Sequence, residues 1–239
     1  FGATTDELHG ISSAMTELEA ASREILGRAQ EIDGLSSSLG KTMRESLTSA
    51  AQLNTSTEEI LASGARFKLG IGKFEAALQT CWAERDQIQS MLQSYADQGI
   101  NVLDQNYQQM AGISPAKFET AYDKIIEKEL QEILEAGVDK DTGRISNIAV
   151  DANGYCPIHI KIYSVQSGDP AKDITFSRHK RKFDDPVGLR AARNTEPFVA
   201  QTYLAPAIGK PLTDIATPIF INGKLWGNLR VTYLPEFLF

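Results

Sequence analysis

Between Arg178 and Arg193 the chain carries Arg178, His179, Lys180, Arg181, Lys182, Arg190 and Arg193, seven basic side chains in sixteen positions, in a protein of 239 residues whose formal net charge is -7. A guanidinium is a planar fork of donors that matches a carboxylate or phosphate, so this cluster suits a small anion. The same run also reads as a solvated rim paired with Asp184, Asp185 and Glu196. Two further stretches offer polar groups. In PIHIKIY, alternation sets His159, Lys161 and Tyr163 opposite Ile158, Ile160 and Ile162. Downstream come Arg193-Asn194, then Gln201 and Tyr203 in an apolar-polar alternation, and Trp226 in the last hydrophobic run. The candidate ligand-binding set is therefore His159, Lys161, Tyr163, Arg178, Lys180, Arg193, Asn194, Gln201, Tyr203 and Trp226. The arginines would hold the anion, and Tyr and Trp would supply an apolar wall with a polar tip.

Other chemistries find less support. His159 alone could ligate haem or a metal, but His9 and His179 add no second ligand at useful spacing, so no metal and no cofactor is expected, with haem kept as an alternative. Cys81 and Cys156 lie 75 residues apart without a CxxC, which suggests neither a disulfide scaffold nor a zinc site. No GxSxG, HExxH or P-loop occurs, and no enzyme activity is expected. The acidic balance argues against general nucleic-acid binding.

The elements that position these residues follow from periodicity. Leu8, Ile11, Met15, Leu18, Ser22, Ile25, Ala29 and Ile32 repeat at three- and four-residue steps, the seam of a coiled coil, and the series restarts at Leu35, Leu39 and Thr42 after a stammer. A partner copy of the chain is the expected occupant of that seam. Thr55 or Ser56 is expected to cap a new helix, with loops at Ser63-Gly64 and at Gly70 and Gly72. A helix is predicted from about Lys73 to Asp97, with Phe74, Leu78, Cys81, Trp82, Ile88, Leu92 and Tyr95 near one face and Gly99 as its stop. Ser114-Pro115 is read as the start of a helix from Ala116 to about Ala136.

Strand periods begin at Arg144. Strands are predicted at 145–151, 157–163, 198–203, 212–221 and 225–233, with tight turns at Asn153-Gly154 and Asn222-Gly223. Pro218 predicts an edge or a bulge. The expected fold class is α+β: a helical coiled-coil region over 1–112, then an antiparallel sheet domain over 113–239 flanked by helices on one side.

The run VDANGYCPIH, SGDPAKD, SRHKRKFDD, GLRAARNTEPFVAQTY and DIATPIFINGKLWGNLRVTY resembles a C-terminal module of bacterial methyl-accepting chemotaxis proteins, whose fold is of the PAS/Cache sensor class. LNTSTEEILASGARFKLGIGKFE is similar to the segment joining that module to the receptor's helical hairpin, so the resemblance covers roughly Leu53 to Tyr233. One departure stands out: the family pattern has Ala at Cys156 and Asn at Ile160, in a GYAPTHN-like run, where this chain reads GYCPIHI. The resemblance implies a cytoplasmic receptor dimer, free or part of a membrane-anchored receptor, coupled to the kinase CheA and adaptor CheW through parts outside this chain. It implies a small-molecule sensor whose bound state shifts the helix before the sheet and the coiled coil preceding it.

Overall fold

In the computed structural model, which describes residues 2–66, 72–205 and 209–238, the elements run α1 (Gly2–Arg66), α2 (Lys73–Asp97), β1 (Gln108–Gln109), β2 (Phe118–Glu119), α3 (Asp123–Ala136), β3 (Arg144–Asp151), β4 (Tyr155–Cys156), α4 (Pro170–Phe176), β5 (Arg181–Lys182), α5 (Pro186–Ala192), β6 (Val199–Ala205), β7 (Lys210–Ile221) and β8 (Lys224–Tyr233). The fold class is α+β. Four antiparallel strands stand in the order β3-β8-β7-β6, and two short two-stranded ribbons, β1-β2 and β4-β5, flank them.

The chain forms two compact units, Phe1–Thr55 and Ser56–Phe239. In the first, the predicted seam is fully helical, and its Ile11, Met15, Leu18, Ile25, Ile32, Leu35 and Leu39 are all exposed; the side chain of Leu8 lies outside the described residues. No new helix begins at Thr55 or Ser56, because α1 runs on through Ser63-Gly64 to Arg66. Gly70 lies outside the described residues, and Gly72, at φ 131°, directly precedes α2.

α2 matches its predicted bounds, and Leu78, Cys81, Ile88, Met91 and Leu92 are buried. They pack with Ile215, Ile219, Leu229, Val231 and Tyr233 of the sheet, and with Ile126, Leu130 and Leu134 of α3, in one apolar cluster. α2, assigned above to the helical region, lies within the second unit and supplies one wall of the sheet domain's core.

A polar row on α2 meets the edge of β7. Arg85 Nη1 donates to the Pro218 carbonyl (3.0 Å), Gln89 Oε1 accepts from the Phe220 N–H (2.8 Å) and Gln93 Oε1 accepts from the Asn222 N–H (3.0 Å). Strand β6 pairs with β7 only as far as Val199↔Ala216, so beyond that point β7 is an edge whose groups α2 satisfies. Pro218 sits in that open stretch, beside a register shift at Ile219/Phe220, as a residue without an N–H requires. The β7–β8 turn is Asn222-Gly223, at φ 50° and 75°, the left-handed pair of a tight hairpin.

Two predicted elements are not formed as expected. The helix expected from Ala116 starts at Asp123. Before it, Phe118 N–H donates to the Lys180 carbonyl within a ribbon, and Thr120 N–H and Oγ1 both donate to the Asp123 carboxylate (N–H 3.0 Å, Oγ1 2.5 Å), fixing a turn where the helix would have begun. The strand expected at 157–163 is a single bridge, His159↔Ile148, followed by a 3-10 turn at Lys161–Tyr163. Pro157 brings no N–H to a ladder, and the His159 carbonyl is taken by Gln131 Nε2 and Ser164 Oγ, both at 2.8 Å. The alternation fails with it: Ile158 and Ile160 are buried, yet so is His159, while Ile162 is exposed.

Candidate functional site

The sheet has two buried faces, one apolar and one polar. Pairing places Ser146, Ile148 and Val150 of β3, Asn228, Arg230 and Thr232 of β8, Asp214 and Ala216 of β7, and Gln201 and Tyr203 of β6 on the face away from α2. Short helices cover it, so helices lie on both sides of the sheet and not on one. α5 is N-capped by Asp185, whose carboxylate accepts from the Val187 and Gly188 N–H groups, and it is tied down by Asn228 Nδ2 donating to the Ala192 and Asn194 carbonyls (both 3.1 Å). Ala192, Ile148, Val150 and Cys156, with Phe183, form a small apolar cluster on this face.

At its centre Arg230 Nη2 donates to Asp214 Oδ2 (2.5 Å), and Tyr203 Oη and Thr232 Oγ1 donate to Asp214 Oδ1 (3.2 and 2.7 Å). Asp214 is 2% and Arg230 7% exposed. Burial alone would lower the Arg230 guanidinium, but Asp214 offsets this and holds it above its ordinary value. Burial, then Asp214, pushes the Tyr203 phenol up, so it stays a neutral donor. Three polar atoms on this face have no partner among the described residues: Gln201 Oε1, Asn228 Oδ1 and Arg230 Nε. An unsatisfied buried polar atom costs about 1–3 kcal/mol, so three on one face, around a buried ion pair, mark a surface fitted to polar company.

Arg178 completes the arrangement. Its guanidinium lies over the Phe183 ring at 5.1 Å and the Tyr163 ring at 5.7 Å, and it finds no carboxylate among the described residues. The charges of Arg178 and Arg230 both act on His159, Cys156 and Tyr203. His159 Nδ1 accepts from the Ile160 N–H (2.8 Å), which puts the proton of the neutral ring on Nε2. Burial, with Arg178 next, holds this imidazole well below its usual range. The haem option meets a ring that is 1% exposed and packed edge-on against Tyr163 at 5.0 Å.

Of the ten predicted residues, the structure thus gathers His159, Tyr163, Arg178, Gln201 and Tyr203 about one polar face. It disperses the others. Lys161 is exposed on the 3-10 turn, its N–H donating to Glu135. Lys180 is turned to Asp123 (3.3 Å), Glu119 and Glu127. Arg193 is exposed and donates to the Ala152 carbonyl (3.3 Å), and Asn194 closes a local turn with Glu196. Trp226 is in the core with its Nε1–H on the Val102 carbonyl (2.9 Å).

The basic run splits the same way. Lys117 Nζ contacts His179 (3.1 Å to its ring nitrogens), Arg181 Nη1 donates to the Ile174 carbonyl (3.0 Å), and Lys182 Nζ lies 3.8 Å from the Tyr107 ring centroid. Sequence reasoning missed Asp214 and Arg230. The available signal was period-two polarity inside two central strands, Asn228-Arg230-Thr232 against Leu229-Val231, with Asp214 between Thr213 and Ile215.

No family model matches the chain, and no curated protein matches it. Among solved structures it is similar to an extracellular ligand binding receptor from Desulfohalobium retbaense (14% identity, TM-score 0.32, over 64% of this chain and 25% of that one). It is similar to the sensory domain of the Campylobacter jejuni chemoreceptor Tlp3 (14% identity, TM-score 0.33, 69% of this chain and 63% of that one). A methyl-accepting chemotaxis protein from Vibrio parahaemolyticus is a third (15% identity, TM-score 0.29, 48% of this chain and 74% of that one). The chain spans a quarter of the first and under two thirds of the second. Likenesses this distant assign neither ligand nor partner to the chain.

Proposed function

We propose that the chain is a sensory ligand-binding module of a chemotaxis receptor, and that its ligand is a small anion held on the polar sheet face. The observation that carries this reading is a polar sheet face on which Arg230 pairs with the buried Asp214 among unsatisfied polar atoms, with Arg178, stacked on Tyr163 and Phe183, close enough for its charge to act on Tyr203. The motif run from Leu53 to Tyr233 supports the receptor setting. The exposed apolar seam of α1 supports a parallel role: pairing with a second copy of the chain, which would carry the state of the sensor unit onward. A ligand moves that equilibrium only through different affinities for two conformations.

A thermal-shift screen of the whole chain against organic acids, amino acids and nucleotides tests the reading. A ligand at 100 times its dissociation constant adds about 2.7 kcal/mol to stability. The shift should vanish in Arg178→Ala, whose guanidinium stacks on the Tyr163 and Phe183 rings and has no carboxylate partner among the described residues. A shift that survives this change would place the ligand elsewhere. A chain that responds to no compound yet associates through α1 would favour a ligand-free dimerisation module.

A further inference from the structure

We infer that the free edge of β6 is a pairing surface for a second copy of the chain, whose own β6 lies antiparallel against it about Thr202 and joins the two main sheets into one. The sheet ends differently on its two sides. Beyond β3 there is a bridge, Ile148↔His159, whereas β6 pairs with β7 alone, and among the described residues no other element hydrogen-bonds to its outer side. An unpaired edge invites a further strand, and folds blunt it with charge, proline, a bulge or a cover. This fold does so elsewhere: where β7 is open past Ala216, Pro218, a register shift and the polar row of α2 close it. β6 has none of these. Val199–Ala205 carries no charge and no proline, its pairing with β7 runs without a register shift, and Leu204 is 67% exposed.

The sequence of β6 says which strand fits. A two-fold axis through the edge keeps each sheet face continuous only when opposed residues come from the same face. The register that overlaps the whole strand sets Thr202 opposite itself, Gln201 opposite Tyr203, and Ala200 opposite Leu204. Gln201 and Tyr203 both belong to the polar face. On the other face the exposed Leu204 meets Ala200, large against small, at the margin of the apolar cluster that includes Ala200. No like charges are opposed, so β6 is its own complement. One strand pair is too small to hold two chains alone. The inference therefore rests on the pairing role given above to the α1 seam, which keeps the copies at high effective concentration.

Cysteine cross-linking of the whole chain reads the register. Cys81 and Cys156 are both buried, so they stay out of the reaction. In the proposed pair the two Thr202 Cβ atoms stand about 4.5–5.5 Å apart, close to disulfide range, whereas the two Leu204 positions are offset by about 13 Å along the strand. Thr202→Cys should form a linked dimer at least about tenfold faster than Leu204→Cys, and adding Leu204→Lys to Thr202→Cys should slow it by a similar factor. Without any cysteine change, amide hydrogen exchange over β6 should be roughly tenfold faster in Leu204→Lys than in the unaltered chain. Proximity brought by α1 alone would link both cysteine positions alike, and that result would overturn the inference. So would β6 exchange unchanged by Leu204→Lys, or a chain dimeric in sedimentation equilibrium yet unlinked at Thr202, whose edge would be left to an unlike strand. A chain monomeric in sedimentation would overturn the α1 pairing and this inference together.

Discussion

Glu84→Ala should be among the most damaging single changes in the sensor unit. Glu84 on α2 meets Arg144 at the start of β3, with both side chains 7% exposed. Its other oxygen accepts from Asn147 Nδ2 (2.9 Å), which also donates to the Leu134 carbonyl of α3 (3.1 Å). Three elements are therefore pinned at one carboxylate. Burial pushes Glu84 above the usual carboxylate range and Arg144 pulls it back, a balance between desolvation and pairing. Truncating one partner of a buried pair leaves the other charge stranded, at about 3–5 kcal/mol. Asn147 keeps its second acceptor, so its loss adds at most about 1 kcal/mol.

With a urea slope of about 2 kcal/mol/M, the unfolding midpoint of the sensor unit should fall by roughly 2 M. Glu84→Met with Arg144→Met together should recover most of that loss, because replacing both charges by apolar groups of similar volume is often neutral. The measurement is urea denaturation followed by circular dichroism for both single variants and the double. A loss under about 1 kcal/mol in Glu84→Ala, or a double variant no better than the singles, would refute the reasoning.

Other outcomes follow from the same structure. A Cβ at Gly137 would collide with the Asn147 amide and the Glu84 carboxylate, so Gly137→Ala should lower the urea midpoint although its φ of -81° suits any residue. His159 and His179 are both held below the usual histidine range by burial, His179 at about 4; the unfolded chain therefore takes up protons that the folded one refuses, and stability should be lost as pH falls below about 6.5. His179→Asn should make the fall in urea midpoint between pH 7 and 5 shallower. In α1, Leu18→Ser with Ile25→Ser should abolish concentration-dependent association in sedimentation equilibrium, while leaving the urea transition of the sensor unit within about 0.5 kcal/mol of wild type.

Much of the scaffold was legible because local and tertiary signals agree there. Helix α2 carries both an apolar face and a glycine stop, and the β7–β8 hairpin carries Asn222-Gly223 between two alternating runs. Where they disagree, tertiary bonds decide. The apolar period after Ser114 promised a helix seven residues too early, and the Asp123 carboxylate, by holding Thr120, sets the true start. The alternation of PIHIKIY promised a strand that side chains from α3 and Ser164 dismantle. The site was half legible for a similar reason. A dense basic run draws the eye, yet most of its members spend their charge on neighbouring carboxylates, carbonyls and rings. A lone Arg230 in a hydrophobic strand looks like an interruption until the register shows it facing Asp214 through the partner strand.

The row of Arg85, Gln89 and Gln93 constrains how α2 can move. Four residues of helix rise about 6 Å, and two residues of strand advance about 6.6 Å, so the spacing of the helix row matches that of the Pro218, Phe220 and Asn222 backbone groups it engages. The two surfaces mesh like a rack and its teeth. A fractional slide of α2 along β7 would break all three bonds at once, whereas a slide of one full tooth would bring Gln89 to the place of Arg85 and Gln93 to that of Gln89. Axial displacement of this helix is therefore stepped and not graded, and any smaller adjustment of α2 must take the form of tilt or rotation about the meshed line.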